Sequence, residues 1–278
     1  MIIDGKKLAN EIKQSLRKRV ENLKKKSIIP KLAIILVGED PASKIYINMK
    51  MVSGEEVGIK TELHKFPENF KEKELIKLIK ELNKNKKIHA ILVQLPLPKH
   101  INENRVIETI SPEKDVDGLT SINMSRLLNN EEFLVPCTPK GIIKMLDYHK
   151  IDLIAKNAVV VGRSRIVGKP MALMLLNRNA TVTVCHSRTK YLKEHTKKSD
   201  LLVVAVGKPK LITKDMVKEG VVVVDVGINR VEGKVCGDVD FENVKDVASY
   251  ITPVPGGVGP MTVAMVLENT IIAAESQK

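Results

Sequence analysis

Tyr46 and Lys50, four residues apart in "IYINMK", could act together on one ligand. On a helix this spacing puts both side chains on one face. The ring would offer a stacking platform and the amine a proton carrier. Lysine carries protons near neutral pH only when burial or nearby positive charge lowers its pKa. Taken alone, the spacing is better explained by an amphipathic helix with a solvated lysine. A second cluster lies in "VVVGRSRIVGKPMA". Gly162 sits where a strand turns, and Ser164 and Gly168 line the turn. The helix beginning near Val167 presents free N–H groups and a positive dipole end to a phosphate. This is a dinucleotide fingerprint with Ser164 in place of the usual second glycine and one extra residue before the last.

The next strand ends in "CHSRT", that is His186, Ser187, Arg188 and Thr189. A site for NAD needs a carboxylate there for the ribose 2′-hydroxyl, and none is present. Arg163, Ser187 and Arg188 could instead hold a 2′-phosphate through charge-assisted hydrogen bonds. A plain surface position explains Arg188 equally well. The balance favours NADP(H).

These residues need elements to carry them. Leu8, Ile12, Leu16, Val20 and Leu23 form a helical stripe within 6–26. "KLAIILVG" (31–38) reads as a buried strand, 43–57 as a helix with Ser43 as its N-cap, and "IKTELHKF" as an alternating strand. Residues 71–84 read as an amphipathic helix, and "HAILVQLPLP" (89–98) as a buried strand stopped by two prolines. A helix from about 139 to 149 opens a second series, with strands at 158–162, 181–186, 200–207 and 221–227. An apolar helix at 261–274 follows the rigid loop "TPVPGGVGP". The expected fold class is α/β: two α/β domains with a cleft between them, the second a Rossmann-like doubly wound parallel sheet.

Composition fits. At 278 residues and 43% hydrophobic, the chain suits two domains with aliphatic cores. Its three cysteines, Cys137, Cys185 and Cys236, are odd in number and far apart, with no metal spacing. That usage points to a reducing cytoplasm and to no disulfide framework. The N-terminus reaches charge at Asp4 and offers no secretory h-region, and no apolar run is long enough to span a membrane. The net charge of +13 is concentrated in residues 1–100, with 22 basic against 12 acidic residues. Solvated helix faces account for most of it. The lysine runs lack interleaved aromatics, which argues against nucleic acid.

Five stretches occur in order: "DPASKIYINMK", "VQLPLPKHI", "PEKDVDGLTSIN", "GRSRIVGKPMA" and "TPVPGGVGPMT". Together they closely resemble the bifunctional methylenetetrahydrofolate dehydrogenase/methenyltetrahydrofolate cyclohydrolase family, over nearly the whole chain. The resemblance implies NADP-dependent oxidation of 5,10-methylenetetrahydrofolate and hydrolysis of the methenyl product to 10-formyltetrahydrofolate, without a metal. It implies a substrate and catalytic domain at 1–139, joined by a C-terminal helix at 263–278, and an NADP-binding domain at 140–262.

The implied roles follow residue by residue. Lys50 matches the catalytic lysine and Gln94 the amide that sets its protonation, with Pro96 and Pro98 fixing the chain beyond it. Tyr46 matches the ring stacked on the aminobenzoate. Asp117 matches the carboxylate that grips the pterin; Asp115 is its rival and could instead order the loop. Pro255, Gly256 and Gly257 would form a wall between substrate and nicotinamide. The implied cofactor residues are Gly162, Arg163, Ser164, Val167, Gly168, His186, Ser187, Arg188, Gly207, Gly227, Ile228, Asp238 and Thr262, with Val254 nearby. The resemblance also implies a homodimer built through the nucleotide domain, polyglutamylated folate substrates and a cytoplasmic location.

Overall fold

The computed structural model describes residues 1–277. The chain divides into two compact units. One, here the lysine unit, comprises Asn10–Cys137 and the chain from Val263 onward; the other, the nucleotide unit, comprises Met1–Ala9 and Thr138–Thr262. In chain order the first elements are α1 (Gly5–Lys25), β1 (Lys31–Val37), α2 (Pro41–Val57), β2 (Lys60–Phe66), α3 (Glu72–Lys84), β3 (Ala90–Val93), α4 (Glu103–Thr109) and α5 (Ser121–Leu128). They are followed by α6 (Cys137–Tyr148), β4 (Asn157–Val161), α7 (Gly168–Leu176), β5 (Thr181–Cys185), α8 (Leu192–Thr196), β6 (Leu201–Val204) and β7 (Val222–Asp225). The last are β8 (Asn229–Val231), β9 (Lys234–Cys236), α9 (Phe241–Val244), β10 (Tyr250–Ile251) and α10 (Val258–Ser276).

The lysine unit holds a parallel sheet of order β2-β1-β3. Its middle strand is the aliphatic run predicted to be buried, and Ile35 pairs with His64 on one side and Val93 on the other. Leu75, Ile79 and Leu82 place one stripe of α3 on Ile35, Val37, Ile91 and Val93. β3 is shorter than the 89–98 expected. Gln94 still donates its backbone N–H to Ile35 O at 2.9 Å, but Pro96 and Pro98 have no N–H to continue the ladder.

α2 starts differently from the expectation. Asp40, not Ser43, is its N-cap: the Asp40 carboxylate accepts the Ser43 N–H at 2.7 Å, and Pro41 occupies the first turn. Ser43 lies inside the helix and is buried. Gly58, with φ +92°, supplies the left-handed residue that ends it.

The nucleotide unit is built on a five-stranded parallel sheet, β10-β7-β6-β4-β5. The valine runs of β4, β6 and β7 sit at its centre. The short β10 escaped the sequence reading, and it explains where the first nine residues belong. Ile3 N–H donates to Ile251 O at 2.8 Å and Ile251 N–H to Met1 O at 3.0 Å, so Met1–Ile3 extend this sheet, and residues 1–9 group with the nucleotide unit. α10 begins three residues earlier than predicted, because Pro260 falls in its first turn where no N–H is required. All three cysteines are free, and among the described residues no helix is long and apolar enough to cross a membrane.

This packing distinguishes two apolar residues one sheet position apart. Ile35 is fully buried on the middle strand, whereas Leu63 on the edge strand β2 is 39% exposed. Ile35→Ala is expected to cost about 2–5 kcal/mol through lost contacts and a cavity. Leu63→Ala is expected to cost under about 1 kcal/mol. Urea unfolding of the two variants checks the ranking; equal losses would contradict it.

Candidate functional site

Lys50 reaches the interior from α2. It is 6% exposed, and its Nζ donates to Gln94 Oε1 at 3.0 Å. Gln94 is aimed by its own neighbour: its Nε2 donates to Leu95 O at 2.8 Å, which leaves Oε1 for the lysine. The amide therefore sits where β3 runs out, at the carboxyl edge of a parallel sheet. Tyr46, one turn before Lys50, is half-buried, and burial pushes its phenol pKa up, which keeps it neutral.

The loop after α4 brings the carboxylates. Ile91 N–H donates to Lys114 O at 2.7 Å, tying the loop to β3. The buried Lys114 Nζ donates to Leu82 O, Asn83 O and Asn85 O at 3.2, 2.8 and 2.9 Å, satisfying carbonyls at the end of α3. Asn269 on α10 donates to Val116 O at 2.7 Å and Val135 O at 2.9 Å. Gly118 has φ +64°, and a Cβ there would lie 2.5 Å from the Val135 carbonyl carbon.

This frame separates the two aspartates. Asp115 is buried, and its Oδ2 accepts the Thr120 N–H at 2.7 Å and Asn123 Nδ2 at 3.0 Å, so it orders the loop. Asp117 is the one coupled to Lys50. Burial pushes the Asp117 carboxyl up, while the Lys50 charge pulls it back down. Burial likewise lowers Lys50, and Asp117 opposes that shift. Each group is thus held away from its ordinary value by desolvation and tied back by its partner. Cys137 completes the cluster. Its Sγ lies 3.1 Å from Val116 O, and it hydrogen-bonds to Asp117. No spacing signal in the sequence links Cys137 to position 117.

The phosphate turn belongs to the nucleotide unit. Gly162 has φ +130°, and a Cβ there would meet Ala205 O at 2.3 Å. Ser164 Oγ accepts the N–H groups of Val167 and Gly168 at 3.2 and 3.4 Å, so its hydroxyl caps α7. A pocket of about 370 Å³ opens beside this turn, lined among others by Gly162, Arg163, His186, Ser187, Thr189 and Lys208. No acidic residue lines it. Arg188 does not line it either, and its N–H donates to His186 Nδ1 at 3.2 Å. Lys208 was missed because it lies outside the fingerprint, in a turn that reads only as a strand end.

Other expected cofactor residues take different places. Asp238 is fully buried, and its oxygens accept the N–H groups of Val206, Gly207 and Lys208 at 2.7, 2.9 and 2.8 Å. It holds a loop and presents no surface for direct contact. Gly207 and Gly227 lie in loops that such bonds fix, whereas Ile228 is 51% exposed. Thr262 Oγ1 lies 2.9 Å from Thr138 Oγ1. In the Pro255–Gly257 loop, Gly256 has φ +107° and its carbonyl accepts the Lys6 N–H at 2.9 Å. Neither these residues nor Val254 line the pocket. Among the described residues no His, Cys, Asp and Glu cluster is arranged to hold a metal ion.

Comparison with known proteins places both halves of the chain in one family. Residues 3–117 match the model of the tetrahydrofolate dehydrogenase/cyclohydrolase catalytic domain, and residues 136–278 that of its NAD(P)-binding domain. The bifunctional protein FolD of Thermodesulfovibrio yellowstonii is 56% identical over all of this chain and 97% of its own length. That of Nitratiruptor sp. is 57% identical over all of this chain and 99% of its own. The crystal structure of the bifunctional FolD enzyme of Campylobacter jejuni superposes with a TM-score of 0.98 at 51% identity, covering 100% of this chain and 99% of that one. The Trypanosoma brucei enzyme, solved with NADP and an inhibitor, gives 0.96 at 36% identity, covering 99% and 97%. The chain belongs to the tetrahydrofolate dehydrogenase/cyclohydrolase family.

Proposed function

We propose that this chain catalyses two consecutive reactions on one folate: NADP-dependent oxidation of 5,10-methylenetetrahydrofolate, then hydrolysis of the methenyl cation to 10-formyltetrahydrofolate. The observation that carries the reading is the buried Lys50 amine, hydrogen-bonded to Gln94 and coupled to Asp117. The acid-free pocket with Arg163 and Lys208 fits a phosphorylated dinucleotide. NADP⁺, when bound, supplies the acceptor for the hydride that leaves the methylene carbon.

The chain's own residues account for the remaining chemistry. Asp117 can accept the two adjacent donors of a pterin, its 2-amino group and N3–H. Tyr46 offers its ring face to the aminobenzoate. In hydrolysis, water adds to the methenyl carbon and loses a proton, the carbon–N5 bond breaks as N5 is protonated, and the remaining hydroxyl proton leaves to solvent as the formyl carbonyl forms. Lys50, with its pKa lowered by burial, takes the proton from water and returns it to N5. The bound cation lowers that pKa further by repulsion. Gln94 accepts a hydrogen bond from the amine in either protonation state, so it orients Nζ throughout.

Polyglutamylated folates are the natural substrates on this reading, since residues 1–100 carry a basic excess that attracts an anionic tail. A cytoplasmic location is consistent with the free cysteines, two of them buried. A homodimer formed through the nucleotide unit would cover the sheet edge at β5, where Val184 is 39% exposed, and Leu176 of α7, which is 57% exposed.

Three outcomes are expected. Lys50→Met should lose about 10²–10⁴-fold in methenyl hydrolysis. NADPH formation should continue in that variant, followed spectrophotometrically, and retained hydrolysis would remove Lys50 from its role. Arg163→Ala should raise the KM for NADP⁺ about tenfold or more while leaving that for NAD⁺ nearly unchanged, and Arg188→Ala should do neither. An equal effect of both substitutions would refute the assignment. Val184→Lys should shift the protein to a monomer by sedimentation equilibrium. A wild type that is itself monomeric would dispose of the dimer.

A further inference from the structure

Asp225 and Asp238 are two buried carboxylates in the nucleotide unit that the chemistry above does not use. Asp225 ends β7. Its Oδ1 accepts the N–H groups of Gly227 and Asp238 at 2.9 and 3.0 Å, and its Oδ2 that of Val239 at 2.9 Å. Its own N–H donates to the buried Thr252 Oγ1 at 2.8 Å. Asp238 in turn takes the N–H groups of Val206 and Gly207 on Oδ2, and that of Lys208, with Asn229 Nδ2 at 2.9 Å, on Oδ1. Two of the residues so held, Val206 and Lys208, line the nucleotide pocket.

The backbone is wrapped closely around both acids. A Cβ on Gly237 would lie 1.8 Å from Asp225 Oδ2, and one on Gly227 would lie 2.2 Å from Asp238 Cγ. These glycines leave the space that the carboxylates fill. Burial pushes the Asp225 carboxyl up to about 6, and the nearby Asp238 charge adds to that rise. The arrangement keeps two like charges close together in a dry interior. Apolar residues in their place would leave six backbone N–H groups without acceptors. Each carboxylate gathers three backbone N–H groups that share no regular partner, and in doing so sets the shape of two loops.

We propose that Asp238 and Asp225 are positioning residues for the dinucleotide: Asp238 fixes the Val206–Lys208 wall of the pocket, and Asp225 fixes Asp238. This rests on the pocket being the dinucleotide site. Neither residue touches the cofactor. Replacing either acid with its amide turns an NH₂ group against N–H donors, which releases the wall and displaces Lys208.

The test measures both activities of full-length Asp225→Asn and Asp238→Asn. The KM for NADP⁺ should rise about tenfold or more with kcat at saturating cofactor nearly retained, as expected for loss of bonds to a charged acceptor. Hydrolysis of methenyltetrahydrofolate, which consumes no dinucleotide, should stay within about twofold of wild type, since no bond in its site is altered. A folded variant with wild-type KM overturns the proposal, as does a parallel fall of both activities. Should either amide variant fail to fold, Asn229→Ala decides. It removes one donor from Asp238 and should raise the KM for NADP⁺ severalfold while leaving hydrolysis intact; an unchanged KM would overturn the proposal. The wild-type protein assayed with NAD⁺ separates the two readings. A preference for NAD⁺ would sink the choice of cofactor, and the same variants assayed with NAD⁺ would still decide the anchor.

Discussion

The hydrogen bond from Lys50 to Gln94 inside a desolvated cluster is the constraint around which the lysine unit is organised. An amine at 6% exposure is unstable as a cation unless something nearby compensates it. Here the compensation is deliberately partial. Asp117 favours the charged amine, desolvation favours the neutral one, and neither effect acts unopposed. A lysine fully paired in an exposed ion pair would stay protonated at neutral pH and could not accept a proton from water. One buried without Asp117 would have no charge holding its pKa up. On the proposed reading, the working condition lies between these limits.

That balance requires Asp117 and Gln94 to stay where they are, and much of the surrounding sequence serves that end. Gln94 is held because β3 must stop at a proline-rich turn. Asp117 is held because Lys114, Asp115 and Asn269 each fasten a different point of one loop, to α3, to the start of α5 and to α10. Buried polar groups with complete partners fix geometry more sharply than apolar contacts, since each lost partner leaves an uncompensated group. The nucleotide unit uses the same device with Asp225 and Asp238.

Most of the architecture was legible in the sequence because it is periodic. The aliphatic runs of β1, β4, β6 and β7 and the stripe of α3 carry their own signal, and the parallel order follows from alternation. Three things were not. The pairing of Met1–Ile3 with β10 is a contact across the length of the chain, and a two-residue strand has no period. The cap of α2 fell on Asp40 because Pro41 can occupy the first helical turn, a signal present in "EDPAS" but outweighed by Ser43. Asp238 looked like a cofactor residue because it lies in a glycine-rich turn at the right place. Only its hydrogen bonds reveal that its carboxylate faces inward.

Asp115 and Asp117 show where pattern gives way to physics. Two aspartates separated by one residue are equivalent to any reading of composition or spacing, and a family match can select one without explaining the choice. The explanation is the distribution of donors. Thr120 N–H and Asn123 Nδ2 converge on Asp115 Oδ2 and tie that carboxylate to the loop, whereas Asp117 is left beside an amine and a thiol. A buried carboxylate already engaged in ordering its own loop has little to offer a ligand with paired donors. One held beside a buried amine, with fewer bonds already made by the fold, keeps acceptor capacity for a ligand. The same reasoning demotes Asp238 and promotes Lys208: a polar side chain's role follows from which of its bonds the fold has already made.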